Sequence, residues 1–117
     1  MNRFYMKKRY RMYIKDLYNK GKTVVSFEIF PPKKGAGTIE SITNKLEGFS
    51  KLNPDYIRVT YGAGGSTSGN TCAIAGKVKN EFSIESLAHI TCLSSTKDDI
   101  TTILDNLKNN NVKNILA

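Results

Sequence analysis

Three stretches of the sequence place reactive side chains next to residues that favour β-strands. Glu28 follows the β-branched run Thr23-Val24-Val25 and precedes two prolines, which cannot continue a strand. Thr60 and Tyr61 end a second such run, and His89 lies in a third. Ligands of parallel α/β proteins bind at the carboxyl ends of the strands. These residues therefore form a candidate site if the strands are parallel neighbours.

Glu28 is the candidate acid of this site. A surface carboxylate at the start of a loop is the simpler interpretation. However, its neighbours Phe27, Ile29 and Phe30 are apolar, and apolar surroundings favour the neutral form of a carboxyl group. A general acid needs that neutral form, so we expect Glu28 to donate a proton.

Other motifs give weaker signals. His89 lies between Ala88 and Ile90, so it is either a hydrogen-bonded core residue or a site residue. The glycine-rich segment 62–69, GAGGSTSG, lacks the complete fingerprint of a dinucleotide or phosphate loop. Its glycines allow either close approach to a ligand or a flexible turn. One histidine and two isolated cysteines support neither a metal site nor a disulfide.

The elements that would position these residues alternate between strands and helices. Later strands are predicted at 55–61, 87–92 and 112–117, and the first intervening helix at 38–52. Ser95 or Thr96 is expected to cap the last helix. Its predicted core face consists of Ile100, Ile103, Leu104 and Leu107.

Successive strands are about 30 residues apart, the length of one βα unit of a parallel sheet. A doubly wound sheet closes with four or five strands, whereas a (β/α)8 barrel needs about 250 residues, so this chain would be its first half. The spacing alone leaves both architectures open.

The positive charge is concentrated at the amino end. Residues 1–22 hold eight Lys or Arg and one acid, whereas residues 23–117 hold ten and nine. We therefore divide the chain into a basic extension with a short helix, 1–22, and an α/β domain, 23–117. Without a recognition module, no nucleic-acid partner is expected. No continuous apolar stretch is as long as that of a signal peptide or a membrane span. We therefore expect no membrane partner and predict a cytoplasmic location.

Three motifs make the sequence similar to one enzyme family. SFEIFPPK at 26–33, PDYIRVTYGAGGST at 54–67 and LAHITCL at 87–93 strongly resemble the start of methylenetetrahydrofolate reductase, in the same order and spacing. The similarity runs from about Ile14 to Ala117. The resemblance implies the first four strands of a (β/α)8 TIM barrel. It also implies FAD as cofactor, NADH or NADPH as hydride donor and a folate substrate.

The resemblance also implies a role for each candidate residue. Glu28 matches the glutamate that protonates methylenetetrahydrofolate, so that its five-membered ring opens and accepts a hydride. Thr60 matches the threonine that contacts flavin and nicotinamide. Tyr61 and Ala63 match neighbours that touch FAD, and His89 matches a histidine near the flavin.

The family pattern continues beyond the segment that matches this chain. A Leu-Arg-Gly-Asp segment and four more βα units follow there, and they supply the rest of the cofactor and folate sites. We therefore expect either an N-terminal fragment of the enzyme or a non-catalytic half-barrel that binds no flavin by itself. Because the fourth strand would have an open edge, a homo-oligomer is expected.

Overall fold

The computed structural model describes residues 13–33, 37–62 and 68–117. Its strands are β1 (Ser26–Ile29), β2 (Tyr56–Val59), β3 (Glu85–His89) and β4 (Asn114–Leu116). All pair in parallel, in the order β1-β2-β3-β4. The predicted α/β fold of parallel βα units is confirmed. A doubly wound sheet needs a point where the strand order reverses, so the unbroken order favours the barrel.

A short helix precedes β1, and further helices lie between successive strands. They are α1 (Ile14–Leu17), followed by a 3-10 turn (Tyr18–Lys20), α2 (Ile39–Ser50), α3 (Ser68–Asn80) and α4 (Lys97–Asn109). Thr96 begins α4 with a reciprocal cap, in which its hydroxyl accepts from the Asp99 N–H and its own N–H donates to the Asp99 carboxylate. Gly21 ends the 3-10 turn with a φ of 64°.

All four strands have bounds that differ from those predicted: β2 and β4 are shorter at both ends, and β1 and β3 are shifted along the chain. The run Thr23-Val24-Val25 precedes β1, because the Val25 N–H donates to the Asp55 carboxylate at 2.8 Å instead of joining the sheet. β3 begins at Glu85, two residues earlier than predicted. Glu85 is buried although it is charged, because Lys79 and Asn114 donate hydrogen bonds to its carboxylate. A search for runs of apolar residues therefore did not place it in the strand.

The core lies on the face of the sheet that the helices cover. Ile57 and Val59 of β2 and Ala88 of β3 are fully buried there, against Ile74 and Val78 of α3. From α4, Ile103 and Leu107 are buried and Ile100 packs against the core. Leu104 is 39% exposed, which corrects its predicted place in the core face. Side chains alternate along a strand, so Glu28, Arg58 and His89 lie on the opposite face.

Hydrogen bonds join the amino ends of β2 and β4 to α1 and to the 3-10 turn that follows it. The Ile14 N–H donates to Asn114 Oδ1 at 2.9 Å, and the hydroxyls of Tyr18 and Tyr56 are 2.8 Å apart. Asn114 also donates to Glu85, at 3.0 Å. α1 therefore packs at the amino ends, opposite the edge where the candidate site was predicted. The division of the chain at residue 22 stays a prediction, since residues 1–12 lie outside the described ranges.

Candidate functional site

The sheet register brings the predicted site residues to one edge. Glu28 pairs in register with Arg58, and Leu87 lies opposite Arg58 on β3. Thr60 and His89 each come two residues after these positions. They therefore lie on the same face, one side-chain layer closer to the carboxyl edge. Glu28, Thr60 and His89 come from three neighbouring strands, as a shared site requires.

Glu28 has a charged neighbour rather than apolar surroundings. Its carboxylate Oε2 lies 3.4 Å from Arg58 Nε, and the two side chains are 31% and 38% exposed. Phe27 stacks on Phe49 and Ile29 is buried in the core, both on the opposite face. Phe30 is 69% exposed. The expectation of an apolar environment was therefore wrong, because strand alternation turns the flanking side chains away from Glu28.

His89 combines burial with the influence of both charges. Its Nε2 is buried and has no hydrogen-bond partner within the described part of the chain. Burial lowers the pKa of His89 below 6.5, the nearby Glu28 carboxylate raises it, and the Arg58 guanidinium lowers it further. Glu28, Arg58 and His89 therefore form one electrostatic cluster.

Thr60 is held by hydrogen bonds to its backbone. Its N–H donates to the Ile29 carbonyl at 3.0 Å, which ties it to β1. Its carbonyl accepts from the Thr71 hydroxyl at 2.9 Å, and Thr71 of α3 is 1% exposed. These two bonds fix the carboxyl end of β2 against both a strand and a helix.

Two other predicted residues contribute differently. The Tyr61 side chain packs against the core, so it lies on the helix side of the sheet. Ala63 lies outside the described residues, as does most of the glycine-rich segment. Elsewhere in the described chain, no group of three metal-binding side chains occurs, and no helix is long and apolar enough to cross a membrane.

Comparison with known proteins identifies the family. A family model described as methylenetetrahydrofolate reductase matches residues 13–117. The chain is 34% identical over 104 residues to "Methylenetetrahydrofolate reductase (NADH) 1" of Arabidopsis thaliana, and 33% over 97 residues to "5,10-methylenetetrahydrofolate reductase" of Escherichia coli. These alignments cover 89% and 83% of this chain.

The chain belongs to the methylenetetrahydrofolate reductase family. It spans 17% of the length of the Arabidopsis relative and 32% of the Escherichia coli relative. Family membership and the strand order agree: the sheet has the architecture expected for the first half of the family's TIM barrel.

Two residues around this site were not predicted from the sequence. Arg58 was predicted only as part of a strand, although it lies between the buried residues Ile57 and Val59. Thr71 was missed because its partner, the Thr60 carbonyl, is a backbone group eleven residues away. Alternation could have placed Arg58 on the Glu28 face, but its pairing with Glu28 needs the register.

Proposed function

We propose that the protein takes part in the reduction of 5,10-methylenetetrahydrofolate to 5-methyltetrahydrofolate. Its family supports this reaction, and the names of the plant relatives specify NADH. The observation that carries the proposal is the position of Glu28 on the open face of the sheet, beside Arg58 and His89. The substrate needs one proton and one hydride, and this cluster offers the proton.

FAD is the proposed cofactor, with NADH or NADPH as hydride donor. The site fits a flavin, because His89 Nε2 is buried without a hydrogen-bond partner among the described residues. Buried polar atoms of this kind normally have partners, and the ring edge of a flavin carries carbonyl oxygens and nitrogens. When bound, FAD supplies hydride acceptance from the nicotinamide and hydride donation to the folate.

The residues of the chain supply orientation and the proton. Glu28, as a neutral acid, transfers its proton to a ring nitrogen of the folate, and the carbon–nitrogen bond of the five-membered ring opens. Thr60 is fixed by Ile29 and Thr71, so its backbone presents a rigid edge to flavin and nicotinamide. Ala63 and His89 are proposed to line the cofactor. Tyr61 is proposed to touch it through its backbone, because its side chain packs on the helix side of the sheet. Each of these roles is part of the proposal.

Two cysteines bear on where the protein works. Cys72 is buried and Cys92 is exposed, and both are free thiols. Free thiols are typical of a reducing compartment, which supports the proposed cytoplasmic location.

The two half-reactions test this function. In the flavin-loaded protein, Glu28→Gln should leave flavin reduction by NADH largely intact and slow oxidation of the reduced flavin by methylenetetrahydrofolate about 100-fold or more, because the proton is needed only there. Stopped-flow absorbance measures both rates. Glu47→Gln removes an exposed carboxylate from α2 and should change neither. Equal slowing of both half-reactions by Glu28→Gln would contradict the role of Glu28 as proton donor. If methylenetetrahydrofolate does not oxidise the reduced flavin of the wild-type protein, the proposed function is contradicted.

A further inference from the structure

Arg58 forms an ion pair with the proposed proton donor, Glu28. It occupies the position directly opposite Glu28 in the β1–β2 register, so both side chains project from the same face. Their charged atoms lie 3.4 Å apart. Within the described part of the chain, Arg58 is the cation that forms an ion pair with Glu28. The contact between Glu28 and Arg58 therefore follows from the pairing of β1 with β2.

The pair restricts a side chain that would otherwise be mobile. Glu28 is about one-third exposed on a face that the helices do not cover, and a free glutamate there has many rotamers. Arg58 Nε is buried and forms no aligned hydrogen bond, so its contact with Glu28 is electrostatic. A guanidinium stays charged at every pH at which proteins fold, so the attraction is always available.

We propose that Arg58 is a positioning residue for Glu28, holding the carboxyl group where it can reach the bound folate. The proposal rests on the function proposed above. The ion pair holds the carboxylate in place and weakens when Glu28 takes up a proton. It forms again when the proton passes to the folate, because that step leaves Glu28 as a carboxylate. Arg58 touches neither folate nor hydride in this role and acts through Glu28 alone.

The folate half-reaction is where this role should be visible. Misplacing a catalytic group by about 1 Å costs roughly 100-fold in rate. In the flavin-loaded protein, Arg58→Met should slow flavin oxidation by methylenetetrahydrofolate about 10- to 100-fold and leave reduction by NADH largely intact. Arg58→Lys retains the charge and should recover part of the lost rate. Lys77→Met removes the cation of another ion pair, between Lys77 of α3 and Glu81 directly after this helix, and should change neither rate.

His89 gives a second readout that needs no flavin. It is the only histidine in the sequence, so its ring signals in an NMR titration need no assignment. Both Glu28 and Arg58 act on its pKa, in opposite directions. Glu28→Gln should lower the pKa of His89, and Arg58→Met should raise it. If Arg58 fixes the position of Glu28, the effect of Glu28→Gln should be clearly smaller in the Arg58→Met background.

The outcomes separate the two proposals. Additive effects on the His89 titration would overturn the positioning role, whatever the activity. Equal slowing of both half-reactions by Arg58→Met, or full activity of that variant, would overturn it as well. Non-additive effects together with selective slowing of the folate step would support it. Non-additive effects on the His89 titration, in a protein whose reduced flavin is not oxidised by methylenetetrahydrofolate, would overturn the proposed function and support the Glu28–Arg58 coupling.

Discussion

The pKa of His89 shows how individual residues at the carboxyl edge depend on one another. Burial is the largest cause of its lowered pKa, and Glu28 and Arg58 change it in opposite directions. Folding therefore favours the neutral imidazole. Above the unfolded-state pKa of about 6.5, the imidazole is neutral in both the folded and the unfolded protein, so its burial carries no charge penalty. At lower pH the unfolded protein takes up a proton more readily than the folded protein, in which the ring is buried. This contribution to stability is complete above pH 6.5 and is lost as the pH falls through and below that value.

The first prediction concerns this pH dependence. The free energy of unfolding of the wild-type protein should fall as the pH drops below 6.5, and His89→Gln should remove that part of the fall. Urea unfolding at a series of pH values measures it. Carboxylates such as Asp99, whose pKa is lowered by hydrogen bonds from Thr96, lose their contribution only at pH values below 3.8. Parallel curves for wild type and variant between neutral pH and that acidic range would contradict the burial of His89.

At the scale of the elements, helix α3 controls the end of strand β2. The Thr71 hydroxyl of α3 donates to the carbonyl of Thr60. Thr60 is the residue proposed to face flavin and nicotinamide. Thr71 is buried, so water cannot easily replace the hydroxyl if it is lost. A helix residue outside the cofactor edge therefore fixes a backbone group within it.

Replacing this hydroxyl should weaken both the fold and the site. Thr71→Val keeps the shape of the side chain and leaves the Thr60 carbonyl without its donor, which should cost about 1–3 kcal/mol of unfolding free energy. FAD affinity should fall too, because β2 loses its anchor at the site. Thr101→Val removes a comparable hydroxyl bond at the exposed surface of α4 and should change stability by less than about 0.5 kcal/mol. Denaturation and flavin titration measure the two effects, and equal behaviour of both variants would contradict the anchoring role.

The elements also show which features a sequence can predict. The order of strands and helices followed from apolar spacing, and residue type limited the cap of α4 to Ser95 or Thr96, of which the structure uses Thr96. Glu85 and Asn114 were missed because their burial depends on each other and on Lys79, at separations of 29 and 6 residues. The Arg58 partner of Glu28 was missed for the same reason. Long-range polar pairs depend on register and topology, which local patterns do not encode.

At the scale of the whole molecule, the sheet ends in two strands with one neighbour each. β1 pairs only with β2, and β4 only with β3, within the described residues. Ile115 and Leu116 of β4 are 38% and 50% exposed. Unpaired strand edges with apolar side chains readily bind another strand, and closure into a barrel would remove both edges. Within the described residues, the helices cover the core face of the sheet and leave the face that carries Glu28 open as well.

The last prediction follows for the chain of 117 residues studied by itself. It should form a dimer or a larger assembly, because pairing of β4 with another copy covers the exposed edge. It should also lack the visible absorbance of bound flavin, because a cofactor of this size needs contacts on several sides and the described site supplies one. Light scattering during gel filtration measures the mass. Leu116→Lys places a charge on β4 and should shift the chain towards the monomer, whereas Leu93→Lys alters a more exposed loop leucine and should not. A monomeric wild-type chain with stoichiometric FAD would contradict this prediction, and it would mean that four βα units suffice to build the site.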